Sequence, residues 1–239
     1  MNAQQPDITS VTALLGEPAR ATILLALLSG EALPASELAR RCRLTPQTIS
    51  SHLAKLTQGA LVSVSPQGRH RYYRLARPEI AEMLEAIQRV APRQPVRSLR
   101  QSDETKALCQ ARTCYDHLAG KLGVAVTRSL LDRGLLRPEG RVFTLTDRGK
   151  AWCDDLGFDW STAARRHRAF ATACLDWSER RDHVGGAFGA LIAGECFARG
   201  WIRRTGRSRA VAVTPAGHDA LAQAFGFADD ALSRPGVEG

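Results

Sequence analysis

The chain has 239 residues, 44% hydrophobic and 24% charged, enough for one large core or two small ones. Its formal net charge is +9, and nearly all of the positive charge is arginine, a balance that favours a polyanionic partner without identifying it. No apolar run approaches the ~20 residues that span a bilayer, and the polar N-terminus is no signal peptide, so a soluble, cytoplasmic protein with no membrane partner is expected.

Residues 1–9 are polar and expected to fray. A short helix opens at Ser10 and stops near Gly16-Glu17-Pro18, and Ala19 to Ser29 then places Ile23, Leu24, Leu27 and Leu28 on one face. Leu33 to Ser36 reads as extended chain ending in an N-cap, followed by a short helix from Glu37 to Arg43 with Leu38, Ala39 and Cys42 turned inward. After a tight turn, Thr45 caps a further helix with Pro46 at its first position, where a missing N–H costs nothing. Ile49, Leu53 and Leu56 make its buried stripe. Two short helices joined in this way form a helix-turn-helix.

The outward residues Thr45, Gln47, Thr48, Ser50, Ser51, His52 and Lys55 suit a helix laid N-end first into a DNA major groove. A solvated polar face would look similar on an isolated helix, and the flanking sequence decides between the two. Leu61 to Ser65 alternates as a strand, Pro66-Gln67-Gly68 turns, and Arg69 to Leu75 returns. Arg69, His70 and Arg71 at the tip make this hairpin a basic wing, suited to phosphate or minor-groove contact. A helix from Pro78 to about Ala91 follows, with Ile80, Met83, Leu84, Ile87 and Val90 as its apolar stripe.

Residues 10–91 resemble the winged-helix repressors of the ArsR/SmtB class. The resemblance is carried in order by Gly16-Glu17-Pro18-Ala19-Arg20, Glu37-Leu38-Ala39, Gln47-Thr48-Ile49-Ser50-Ser51-His52-Leu53 and Gly59-Ala60-Leu61-Val62. In the wing it is carried by Gly68-Arg69, Tyr72-Tyr73 and Arg74-Leu75. It implies a homodimer formed through the first and last helices of this domain, bound to a pseudo-palindromic double-stranded DNA operator. The family's metal sites do not carry over. Its thiol site uses paired cysteines in the helix before the recognition helix, where this chain has only Cys42. Its other site needs histidine on the last helix, which here offers Glu79, Glu82 and Glu85 alone.

A Pro/Arg-rich linker is expected over 92–102, between a DNA-binding and dimerisation domain (1–91) and a sensor or packing domain (103–239). That second half repeats internally, in units of about 103–163 and 164–239. Asp116-His117-Leu118-Ala119-Gly120 aligns with Asp182-His183-Val184-Gly185-Gly186, and Arg133-Gly134-Leu135-Leu136 with Arg199-Gly200-Trp201-Ile202. Phe143-Thr144-Leu145-Thr146 aligns with Val211-Ala212-Val213-Thr214. Each copy reads as helix, turn, hairpin, helix, a degenerate winged-helix unit with no polar recognition face. The fold expected for the whole chain is mainly α with small β-hairpin wings. The Arg203 to Arg209 turn is either a second phosphate contact or a solvated loop.

The six cysteines (Cys42, Cys109, Cys114, Cys153, Cys174 and Cys196) contain no Cys-x-x-Cys pair and are expected as free thiols. Cys114-Tyr115-Asp116 and Cys174-Leu175-Asp176 each precede an Asp-His pair, and a pseudo-twofold could bring Cys114, His117, Cys174 and His183 together. Such a group suits a thiophilic metal ion or a thiol redox switch; alternatively the cysteines are small core residues and the Asp-His pairs fix a helix–helix contact. The aromatic residues of this half are either core or the wall of a small-molecule pocket. The function expected is a homodimeric DNA-binding repressor, modulated at its second half by a ligand, a metal or thiol oxidation. The alternative is an enzyme or partner-binding domain targeted to DNA by the winged helix. Against an enzyme, the sequence shows no phosphate loop, dinucleotide fingerprint or Gly-x-Ser-x-Gly.

Overall fold

A computed structural model describes residues 5–92, 95, 98–205 and 208–226. The chain divides into two compact units, Met1–Val90 and Ala91–Gly239. Among the described residues, no single helix is long and apolar enough to cross a membrane.

The first unit opens with α1 (Ile8–Leu15) and α2 (Pro18–Leu27). Helix α1 begins earlier than Ser10 because the Asp7 carboxylate accepts from the Ser10 N–H and caps it. The short strand β1 (Leu33–Pro34) pairs with Tyr73 and Tyr72 and runs straight into α3 (Ala35–Cys42), so Pro34 occupies the N-cap position and Ser36 lies inside the helix. Arg43 ends α3 in the left-handed region, and the Leu44 N–H reaches the Ala39 carbonyl at 2.9 Å, which makes the turn into α4 (Pro46–Gln58). Thr45 caps α4 by accepting from the Thr48 N–H.

Ile49, Leu53 and Leu56 of α4 are buried, as are Ile23, Leu24 and Leu27 of α2 and Leu38 of α3. The wing is β2 (Val62–Gln67) and β3 (His70–Leu75), in a sheet ordered β1-β3-β2. Its turn falls at Gly68-Arg69 rather than Pro66-Gln67-Gly68. β2 is an edge strand, where a proline without an N–H is tolerated, so Pro66 stays paired with Arg71. Helix α5 (Pro78–Val90) closes the unit, with Ile80, Ala81 and Leu84 buried and Ile87 and Val90 exposed.

The second unit begins with α6 (Leu99–Gln110), whose first turn lies inside the stretch expected to be linker; Arg93, Gln94, Val96 and Arg97 fall outside the described residues. Two copies of one motif follow. The first is β4 (Arg112–Cys114), β5 (His117–Ala119), α7 (Gly120–Asp132), β6 (Leu136–Glu139), β7 (Val142–Leu145) and α8 (Asp147–Leu156). After the short α9 (Trp160–Ala164) comes the second: β8 (Thr172–Leu175), β9 (Asp182–Gly185), α10 (Gly186–Ala198), β10 (Ile202–Arg204), β11 (Val211–Val213) and α11 (Pro215–Phe225). Each copy therefore carries a small hairpin ahead of the helix–hairpin–helix outline, and both Asp-His pairs lie on that hairpin rather than at a helix–helix contact.

The copies exchange strands. The β6-β7 hairpin of the first joins β8-β9 of the second through Val142 and Thr172. Reciprocally, the β10-β11 segment of the second meets β4 of the first at a bridge between Ala210 and Arg112. One core serves both, including Leu122, Val126 and Leu130 of α7, Phe188 and Ile192 of α10, and Trp152, Phe158 and Phe225 packed ring against ring. These aromatics are core rather than the wall of a pocket; Phe227 lies outside the described residues.

Equivalent threonines start the closing helices. Thr146 accepts from the Gly149 N–H at 3.0 Å and Thr214 from the Gly217 N–H at 2.9 Å. Thr214→Ala is expected to cost ~1 kcal/mol of second-unit stability in a urea melt, and Thr214→Ser much less, since the hydroxyl does the capping.

Candidate functional sites

The first site is the surface formed by α4 and the wing. Gln47, Ser50, Ser51 and Lys55 are exposed along α4, and Arg69, His70 and Arg71 are exposed at the hairpin tip. Between them lies a cleft of about 530 Å³ whose walls include Ser50 and Ala54 on one side and Arg69, Arg71 and Tyr73 on the other. Not every predicted contact is equally presented. The Thr48 hydroxyl lies 2.8 Å from that of Thr45 within the cap, and the Ser50 hydroxyl donates back to the Pro46 carbonyl at 2.7 Å. His52 is half-buried with its Nδ1 turned inside, so it is less available than the periodicity of α4 suggests. Gln47, Ser51 and Lys55 stand one helical turn apart and remain free to face a ligand.

The corresponding surface of the second unit is different. Arg204 stacks over Phe197 with its guanidinium carbon 5.0 Å from the ring centre, and Arg209 is buried. These arginines hold the hairpin to its own unit; Gly206 and Arg207 fall outside the described residues.

The second site joins the two repeats. Cys114 on β4 pairs across its hairpin with His117 on β5, and Cys174 on β8 pairs likewise with His183 on β9. Tyr115, at φ +61°, makes the tight turn between the first pair, whereas the second pair is joined by the longer loop 176–181. The hairpins face one another so that the two sulfurs lie 3.9 Å apart and the two Nε2 atoms 3.2 Å apart. The ligating atoms of all four residues lie within 4.8 Å of one another, and Cys114, His117 and His183 are buried.

Glycines permit this approach. A Cβ on Gly123 would stand 2.3 Å from the Leu118 carbonyl oxygen and 3.5 Å from the Cβ of His183. One on Gly189 would stand 2.3 Å from the Val184 carbonyl oxygen and 3.0 Å from the Cβ of His117. The Gly-x-x-Gly of each repeat thus admits the other repeat's histidine.

Each imidazole also has a carboxylate behind it. Asp116 Oδ1 lies 3.4 Å from His117 Nδ1, and Asp176 Oδ2 lies 3.2 Å from His183 Nδ1, there without hydrogen-bond alignment. Each carboxylate is held by an arginine from the other repeat. Arg168 donates to both oxygens of Asp116, at 2.6 and 3.3 Å, and Arg112 donates to Asp176 at 2.9 Å. Asp176 Oδ2 further accepts from the Gly120 N–H at 2.7 Å, while its Oδ1 accepts from Ser178 N–H and Oγ. Arg112 and Asp176 are fully buried, and the Arg112 guanidinium lies over the Trp177 ring at 4.4 Å.

The electrostatics separate these thiols from the others. Burial pushes Cys153 and Cys196 up to about 12, as expected of inert core cysteines. The Cys114 thiol beside Cys174, helped by His117 and His183 against the effect of burial, holds Cys174 far below the ordinary thiol range. Burial presses His117 down, but Asp116 and the Cys174 sulfur outweigh it and lift the imidazole to about 9. Cys174 is thus biased toward its thiolate and His117 toward its charged form, the one a ready ligand for a cation and the other a proton that a cation would displace.

Asp176, Arg112 and Arg168 were not among the predicted site residues. The shared Cys-x-Asp spacing of Cys114-Tyr115-Asp116 and Cys174-Leu175-Asp176 was the available signal for Asp176. The Asp-His alignment pointed instead to Asp182, which is exposed.

A family described as "Helix-turn-helix domain" matches residues 15–65. The chain is 42% identical over 212 residues to an uncharacterized HTH-type transcriptional regulator, YdfF, of Bacillus subtilis, covering 89% of this chain and 94% of that protein. Among solved structures, reduced HlyU from Vibrio cholerae is 27% identical, covering 36% of this chain and 88% of its own, with a TM-score of 0.33. The cadmium metal-sensor CMTR from Mycobacterium tuberculosis is 32% identical, covering 39% of this chain and 100% of its own, with a TM-score of 0.31.

Proposed function

The chain belongs to the HTH-type transcriptional regulators, its first unit bearing the ordered motifs of the ArsR/SmtB winged helix, and we propose that it is a homodimeric repressor of a pseudo-palindromic operator, controlled through its second unit. Regulation of this kind takes place in the cytoplasm. The observation that carries the reading is the row of exposed Gln47, Ser51 and Lys55 on α4, together with the exposed Arg69, His70 and Arg71 of the wing. The two elements border one open cleft, through Ser50 and Ala54 on one side and Arg69, His70 and Arg71 on the other. An amide and a hydroxyl on a helix can read base edges, while arginines on a hairpin grip phosphate.

Dimerisation is supported by the resemblance and by apolar side chains left in water on the first and last helices of the unit: Ile8 on α1, and Ile87 and Val90 on α5. Two copies would set their α4 helices about 34 Å apart along the duplex. Control follows if an effector at Cys114, His117, Cys174 and His183 binds one dimer geometry better than another.

Operator titrations test the DNA reading. Gln47→Ala and Ser51→Ala are each expected to cost about 1–3 kcal/mol on the operator and little on random DNA. Arg69→Ala should weaken both and lower the salt slope by about one unit. Equal losses on operator and random DNA from the α4 variants would remove their base-reading role.

A further inference from the structure

We infer that Cys114, His117, Cys174 and His183 form a closed tetrahedral site for a zinc-class divalent ion, which ties the two repeats of the second unit together. The inference names the effector class of the proposed regulator and rests on that reading only for its regulatory consequence.

The donor set is two sulfurs and two imidazoles, soft and borderline ligands that favour Zn(II) and its relatives over Mg(II) or Ca(II). The spacing agrees with the chemistry. Bonds of about 2.3 Å to sulfur and 2.0–2.1 Å to nitrogen, at tetrahedral angles, separate two sulfurs by about 3.8 Å and two nitrogens by about 3.3 Å. The observed separations are 3.9 Å and 3.2 Å. A disulfide would need the sulfurs to close to about 2.05 Å, which requires the hairpins to move.

The surroundings fit as well. Both Nε2 atoms face the centre, while Nδ1 of each ring is turned to a carboxylate, Asp116 or Asp176. A carboxylate behind a histidine raises its basicity toward a metal, and at His117 the hydrogen bond to Asp116 also orients the ring. Arg168 and Arg112 in turn fix those carboxylates, so the second layer is ordered on both sides. With four protein ligands no position remains open for a substrate or a reactive water, so the site is a structural or sensing one rather than a catalytic one.

The ligands come half from each repeat, 60 residues separating the two cysteines and 66 the two histidines. Occupancy therefore reports whether the repeats are held in this reciprocal arrangement. Asp116 and Asp176 are positioning residues.

The test uses full-length protein stripped by chelator under reductant and titrated with Co(II) in the absence of DNA. One cobalt per chain is expected, with thiolate-to-cobalt charge transfer and the intense visible bands of a tetrahedral complex, displaced by equimolar Zn(II). Cys174→Ser should lose part of the charge-transfer band and weaken binding tenfold or more, with the circular dichroism of the fold retained. Asp116→Asn should weaken binding by about 10–100-fold while leaving the tetrahedral spectrum intact. The weak spectrum of a six-coordinate ion, or a tetrahedral spectrum unchanged in Cys174→Ser, would overturn the site. So would failure of the reduced protein to bind cobalt while mild oxidation removes two thiols per chain. Because the readout needs no operator, failure here leaves the DNA-binding reading standing, and loss of that reading leaves the cobalt spectrum unchanged.

Discussion

Replacing Arg112 with methionine is expected to cost the second unit about 3–5 kcal/mol, because it strands the Asp176 carboxylate as a buried charge without its cation. Both groups are fully buried, and Arg112 also donates to the Leu108 carbonyl and to Ser178 Oγ, so one substitution empties several contacts together. Urea unfolding followed by tryptophan fluorescence reads the loss in the right place, since Trp152, Trp160, Trp177 and Trp201 all lie in this half. Adding Asp176→Asn should restore part of it, because an amide can still accept from the Gly120 N–H without carrying charge. A loss below ~1 kcal/mol for Arg112→Met would show that water reaches Asp176 and that the pair does not organise the hairpins.

Gly217→Ala is expected to destabilise the same unit by about 3 kcal/mol, the upper part of the usual range for overpacking. The added Cβ would stand 1.8 Å from the Trp201 carbonyl oxygen, a backbone atom rather than the end of a flexible side chain. That carbonyl cannot easily withdraw, since it accepts from the Thr214 N–H at 2.9 Å. Gly194→Ala is the control. Gly194 lies on α10 with open space around its Cα, so alanine there should stabilise by about 0.8–1 kcal/mol through helix propensity. If both variants melt together in the same urea titration, the close approach of strand end to helix start is looser than the geometry requires.

The parts of this molecule that were legible in the sequence are those set by local rules. The Thr45 cap with Pro46 behind it, and Thr146 and Thr214 three residues ahead of Gly149 and Gly217, announce helix starts through side chain and backbone alone. The stripe Ile49, Leu53 and Leu56 shows the buried face of α4 by period. The internal repeat went further, since a duplicated Cys and His suggested a meeting point that the fold contains.

What escaped depends on long-range packing. The strands Arg112–Cys114 and His117–Ala119 are three residues each and buried on both faces, so they show no alternation from which a strand could be read. His52 lies on the polar side of α4 by period, yet it is half-buried with its Nδ1 turned inside, which the period of a single helix does not show. Asp176 replaced the exposed Asp182 because the longer second loop, 176–181, returns the earlier carboxylate to the imidazole. Pro66 read as a turn residue because its tolerance depends on which strand becomes the edge, and that is a property of the sheet.

The division of the Cys–His cluster between two copies has a consequence for how such a protein can arise. A single copy of the motif supplies one sulfur and one imidazole on one hairpin, half of a tetrahedron. Half-sites of this kind become complete when two identical chains meet about a twofold axis, with an ion as the reward for pairing. Joining the copies in one polypeptide replaces that concentration-dependent encounter with an intramolecular one. It also frees each half to differ, provided the four donors still converge: one hairpin here has a two-residue turn and the other the longer loop 176–181. The second unit has the form of a dimer written into a single chain.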